Sequence, residues 1–242
     1  MLLMAKTKMF DGVGADEIMI DSGFRDFLAA LKANNNREWF EANKQHYQNV
    51  VVKPMIELVG TLDGAVSQLT PALRADPKVN GSIRRIYRDT RFSKDKTPYH
   101  THVHLIFWAG GHPNKSPGVH VIFNADSYAF GAGHWALDHD QLDRMRQQLL
   151  LDGGEAIANA VKSVTKHGVE LDPPALARVP RGFDKEAEGA EWLRYKGLVV
   201  KSENAPYPKS LENLNDATKF IVDICQKMSP LTGYMMDKVW TV

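Results

Sequence analysis

The side chains best equipped for chemistry lie in one stretch, Arg84-Arg85-Ile86-Tyr87-Arg88-Asp89-Thr90-Arg91-Phe92-Ser93-Lys94-Asp95-Lys96-Thr97-Pro98-Tyr99. Between Arg84 and Lys96 six basic residues stand against two acidic ones, so the segment carries +4 while the rest of the chain sums to −3. Arginine dominates, and its planar fork grips carboxylate or phosphate with two parallel hydrogen bonds, which lysine cannot do. The expectation is that Arg85, Arg88 and Arg91 converge on a concave site for a phosphate-sized anion, with Lys96 and Tyr99 beside them. Asp89 or a histidine such as His102 would be available for proton transfer. The plain structural alternative is an Arg/Asp network in which Asp89 and Asp95 pair with the guanidinium groups and tie the segment to its neighbours.

Histidines form the second cluster. His100, His102 and His104 alternate along an extended segment, where i and i+2 lie about 7 Å apart on one face, so two of them are close enough to share a metal and the outer pair is not. His100 and His102 are the metal candidates, with His112, His120, His134 and His139 downstream as further ligands. No His-Glu-x-x-His or cysteine-rich signature supports a metal, and solvent-exposed or hydrogen-bonded histidines are the default. The single Cys225 excludes an internal disulfide and a multi-cysteine zinc site. Nucleotide-fold fingerprints and the Gly-x-Ser-x-Gly elbow are missing. No cofactor is indicated.

These groups need a frame. Phe24, Phe27, Leu28 and Leu31 recur at helical spacing behind Ser22, a plausible N-cap. After Asn34-Asn35-Asn36 a second helix begins at Arg37-Glu38-Trp39-Phe40, with Asn43 and Tyr47 on its flank. Trp39 and Asn43 would suit the wall of a polar pocket near the charged segment, or else a helix cap followed by core aromatics. Pro54 opens a third helix with a stripe of Met55, Leu58, Val59, Leu62, Val66 and Leu69. Period-two alternation then predicts strands around 83–92, 102–109, 118–124 and 127–132, with His102, His104, Ile106 and Trp108 opposite Val103, Leu105 and Phe107. Tyr87, Tyr99 and Trp135 join Trp39 and Tyr47 as aromatic residues able to line a pocket. Helices follow from Asp138 or Asp140 to Gly153-Gly154 and from Glu155 to Val164, then a turn near Trp192 and a strand-like Leu198-Val199-Val200. The last helix is expected from about Leu211 to Met228, with Pro230 opening a further turn or two. The order reads as α+β: an antiparallel meander packed by N- and C-terminal helices.

The chain's 242 residues suffice for one sizeable domain, expected over 21–242 after a loosely ordered segment 1–20. A net charge of +1 gives no global attraction to nucleic acid or membrane. Met1-Leu2-Leu3-Met4 is too short for a secretory core and no apolar run reaches spanning length, so a cytoplasmic location is expected. Oligomeric state cannot be read.

Asn35-Asn36-Arg37-Glu38-Trp39-Phe40 with Asn43-Lys44 and Tyr47, then Arg85-Ile86-Tyr87-Arg88-Asp89-Thr90-Arg91-Phe92-Ser93 and Asp95-Lys96-Thr97-Pro98-Tyr99, resemble the bacterial and fungal family called domain of unknown function 2461. Arg178-Val179-Pro180-Arg181-Gly182-Phe183 and Trp192-Leu193 are similar to its C-terminal half. The resemblance covers roughly residues 22–240 and implies an α+β fold without an activity. His100, where the pattern suggests lysine, and His134 depart from it, so histidine chemistry is not implied by the family. The functional expectation is a small molecule bearing phosphate or carboxylate in an Arg-rich pocket, with whether it is an enzyme left open. Single-stranded nucleic-acid binding through Arg84, Arg88, Arg91, Lys94 and Lys96, with Tyr87 and Phe92 stacking on bases, is the runner-up. A non-catalytic interaction module with a purely structural Arg/Asp network is the third.

Overall fold

The computed structural model describes residues 20–240. The expected loose order over 1–20 therefore falls outside the described residues, apart from Ile20, which is buried. Helix α1 (Ser22–Ala33) starts one residue earlier than its predicted cap implied: Asp21, not Ser22, is the N-cap, its carboxylate accepting from the Phe24 N–H at 2.7 Å. Asn36 caps α2 (Arg37–Tyr47) by accepting from Trp39 N–H. A π-helical turn, Gln48–Val52, carries the chain directly into α3 (Lys53–Val66), whose Met55, Leu58, Val59, Leu62 and Val66 are the expected buried stripe.

Three strands form the meander: β1 (Val103–Trp108), β2 (Gly118–Phe123) and β3 (Ser127–His134). Helix α4 (His139–Asp152) opens with an Asp138/Gln141 capping box and ends at Gly153 in the left-handed region. Helix α5 (Glu155–Thr165) leads to β4 (Val169–Leu171); β5 (Leu198–Ser202) and the two-residue β6 (Ala205–Pro206) follow. The last helix, α6 (Leu214–Tyr234), corrects the expectation of a break near Pro230: it runs through that proline. The proline lacks one backbone donor, and the helix is retained by a buried face running from Ala217 and Ile221 to Leu231 and Tyr234 on both sides of it. Cys225 is fully buried in this face, and burial pushes its thiol up, which fits a core residue.

The sheet is antiparallel in the order β1-β2-β3-β5-β4, with β6 on the other end of β3. Its register separates two faces. Val103, Leu105 and Phe107 pair with Phe123, Val121 and Val119, all buried, and this face continues through Ala132 and Val200 into the helical core. Helix α6 lies on β2 and β3, flanked by α3 and α5. The opposite face carries His104, Ile106 and Trp108 on β1, Gly118, His120 and Ile122 on β2, Ala129, Gly131 and Gly133 on β3, and Val199 and Lys201 on β5.

The expected strand over 83–92 is not continuous. The segment follows the free edge of β1 through isolated bridges at Ile83 and Tyr87, the latter to Tyr99. Arg84 N–H donates to His104 O and Ile106 N–H to Ser82 O, after which the chain turns away and pairs with itself, Arg88 N–H to Pro98 O and His100 N–H to Ile86 O. Alternating side chains satisfy an extended backbone, but a ladder also needs a partner along its whole length, and β1 provides one only as far as its first residues. None of the helices among the described residues is long and apolar enough to cross a membrane.

Candidate functional site

On the open face of the sheet lies a cavity of about 570 Å3, within the size range of small-molecule sites. Its floor is β2, β3 and β5, and its far wall is the loop from Pro113 to Ser116. That loop is fixed rather than free: Trp240 Nε1–H donates to Lys115 O at 2.9 Å, and the same indole meets the His134 ring edge-on at 5.2 Å. The near wall is Arg84 with His104. A second hollow of about 290 Å3, lined by Arg84, Arg85, Tyr87, Asp89, His100, His102 and His104, shares Arg84 and His104 with the first, so the two form one groove.

At the junction His104 Nε2 and His120 Nδ1 are 2.8 Å apart. One ring must donate and the other accept, which requires at least one neutral imidazole. Burial, then the neighbouring His120 ring, hold His104 well below the ordinary histidine range. Burial, followed by the charge of Arg84 and by His134, lowers His120 to about 4. His102 is lowered to about 4 by burial and His100, and His100 is lowered by burial and by Arg88 and Arg85. Near neutral pH the groove thus holds uncharged imidazoles beside a cation. Arg84 makes no ion pair among the described residues, and its own pKa is lowered by burial and by Arg85. Such a pair can accept a proton at one ring while the other ring holds it in place.

The residues predicted from sequence scatter over three places. Arg85, Asp89 and His102 line the second hollow. Arg88 and Tyr99 belong to a third, of about 260 Å3, which also contains Arg37 and Glu41 and touches the second only at Tyr87. Arg91 is exposed and folds back on Asp89 in a two-pronged pair at 2.7–3.3 Å, lowering that carboxyl to about 2. Arg88 is drawn to Asp95 at 2.6 Å and to the Thr97 carbonyl and hydroxyl. The convergence of Arg85, Arg88 and Arg91 on one site is therefore not what the geometry gives: within-segment carboxylates claim two of the three. Lys96 donates to Thr90 O.

The N-terminal motif reaches the charged segment through Asn35 and Phe40, and not through Trp39 or Asn43. Asn35 grips the Tyr99 backbone from both sides, Nδ2–H to the carbonyl at 2.9 Å and Oδ1 from the N–H at 3.1 Å. Phe40 stacks on Tyr99 at 4.1 Å. Trp39 turns to Phe27, and Asn43 donates to Trp39 O one helical turn back; neither lines the three hollows. Among the described residues no group of three or more His, Cys, Asp or Glu is placed to hold a metal, and the His100 and His102 rings stand 5.1 Å apart without a third ligand.

Sequence reasoning passed over Arg84, His104, His120 and Lys201 as the centre of a pocket. The alternation of β1 did place His104 opposite the core residues of its strand, but nothing in it tied His104 to His120. Their adjacency depends on a cross-strand register set by the loop between Ala109 and Pro117, which alternation cannot supply.

A family model described as conserved hypothetical protein (DUF2461) matches residues 24–234. No curated protein and no solved structure matches the chain.

Proposed function

Because the chain belongs to the DUF2461 family of conserved hypothetical proteins, whose description names no substrate, we propose a function from the site alone: binding of a small molecule that carries a phosphate or carboxylate, in the open-face groove. The anion sits on Arg84, with Arg85 behind it, and the body of the ligand lies over the floor of β2 and β3. The observation that carries this reading is a half-buried arginine without a carboxylate partner on the wall of a largely apolar cavity. Even a partly buried cation loses hydration, and a ligand anion supplies the partner that Arg84 lacks. The His104–His120 pair adds a neutral proton acceptor beside that anion, which is the feature that would turn a binder into a catalyst.

Calorimetric titration of glycerol 3-phosphate and succinate into the protein tests the reading. At least one of these anions is expected to bind, and Arg84→Gln to weaken it by roughly tenfold or more, the usual scale for losing a charge-assisted hydrogen bond. Equal affinity in the variant and the parent, or no binding of either anion at millimolar concentration, would remove Arg84 as the anchor.

A further inference from the structure

Trp135 is 80% exposed, and it stands on the rim of the open-face cavity. An indole held in water at the mouth of an apolar hollow has its ring faces free for a partner, and planar rings stack on such faces well. The floor of the same cavity is unusually bare. Gly131 and Gly133 bring no side chain and Ala129 only a methyl. The fold itself demands these glycines: a Cβ on Gly131 would come 2.2 Å from Val200 O and one on Gly133 1.9 Å from Leu198 O. The consequence for the cavity is a flat strip, with Ile122, His120 and Gly118 beside it on β2 and with Val199 and Lys201, itself held by Asp172, beside it on β5.

Polar groups sit at the edges of that strip. Ser202 Oγ already accepts from Phe130 N–H, which leaves its own hydroxyl proton to be given away. His134 Nε2 faces Asn114 O at 3.4 Å, and a carbonyl only accepts, so that nitrogen carries the proton. His134 Nδ1 is then a bare acceptor, buried without a partner in the wall of the same cavity. A slot with a flat apolar middle, one aromatic lip, hydrogen-bonding edges and a cation at one end has the chemistry of a ring with an anionic tail.

We infer that the groove takes a planar aromatic ring bearing a phosphate, with the ring between Trp135 and the glycine strip of β3 and the phosphate on Arg84. This rests on the reading of Arg84 as the anion anchor and adds the ring to it. A nucleoside monophosphate and a simple aryl phosphate share this chemistry.

The test is calorimetric titration of 1-naphthyl phosphate, AMP and glycerol 3-phosphate into the parent protein, Trp135→Ala and Arg84→Gln. Trp135 is exposed, so its removal leaves the core intact. One or both aromatic phosphates are expected to bind at least about tenfold more tightly than glycerol 3-phosphate, the scale of ring stacking. Trp135→Ala is expected to bring them to the glycerol 3-phosphate level, and Arg84→Gln to weaken all three. AMP alone showing the preference marks a nucleotide site; 1-naphthyl phosphate sharing it marks a general aryl phosphate site. Glycerol 3-phosphate bound through Arg84 with no aromatic preference, or a preference untouched by Trp135→Ala, overturns the inference while the anion anchor stands. No binding of any of the three overturns the inference, and no binding of succinate either overturns the anion anchor with it.

Discussion

Two neutral imidazoles joined by one hydrogen bond at 2.8 Å set the character of the groove, because burial and then the neighbouring Arg84 both resist adding a proton to His120. The sign of the resulting pH dependence follows from His120. Above its ordinary value of 6.5 the ring is neutral in both folded and unfolded chains, and stability is unaffected by it. Between 6.5 and about 4 the unfolded chain takes a proton that the folded one refuses, so stability falls as pH drops through that window. Urea unfolding followed from pH 7 to pH 4.5 should therefore lose about 1–3 kcal/mol on account of this residue. His120→Asn should flatten the profile by that amount relative to the parent. Parallel profiles for the two proteins would mean that His120 protonates as readily in the fold as outside it.

At the scale of elements, β3 is the strand on which the site depends, since it supplies the bare floor and pairs with β2, β5 and β6. Its glycines are fixed by the approach of β5. Gly131→Ala forces a methyl onto a backbone oxygen that has no room to retreat, whereas Gly111, in the loop, has nothing within 4 Å of an added Cβ. Thermal melts should show Gly131→Ala losing about 3 kcal/mol or more, roughly 6–12 °C, and Gly111→Ala staying within about 0.5 kcal/mol of the parent. A Gly131→Ala protein that melts like the parent would show that β5 yields easily, and the flat strip would then be incidental. Helices and strands with a regular period were legible before any coordinates: the Phe24–Leu31 face, the α3 stripe and the alternation of β1 all follow from side-chain spacing. What spacing cannot give is how elements lie against each other. It read 83–92 as a strand because extended backbone alternates whether or not it is paired, and it took the arginines of that segment as one site because they outnumber its carboxylates, although Asp95 and Asp89 claim two of them. Arg84 looked like its neighbours in the sequence and differs from Arg88 and Arg91 only in facing the open sheet.

At the scale of the whole molecule, the segment keeps its net +4 but ties several of its cations to itself. Arg88 is held by Asp95, Arg91 by Asp89, and Lys96 by the Thr90 carbonyl, so three of its six cations are tied within the turn. Arg84 and Arg85 line the second hollow of the groove, Arg84 half-buried and Arg85 exposed. A strand of nucleic acid needs cations spaced along a track and aromatic faces between them. The turn offers one fully open face, Phe92, which is 95% exposed and lies 5.8 Å from the Arg91 guanidinium, while Tyr87, 45% exposed, packs against Phe40 and Tyr99. One ring beside one paired arginine is a poor track, and a chain of net charge +1 adds no long-range attraction. Fluorescence anisotropy with a labelled oligothymidylate of about 20 nucleotides should therefore find binding weaker than about 100 μM even at low salt, with a log–log salt slope no steeper than that of one or two phosphate contacts. The same titration with Phe92→Ala and Arg88→Ala decides between the two faces of the protein. Micromolar binding that falls steeply with salt and is lost in both variants would place the function on the charged turn, and the groove would then be a by-product of a sheet covered on one side only.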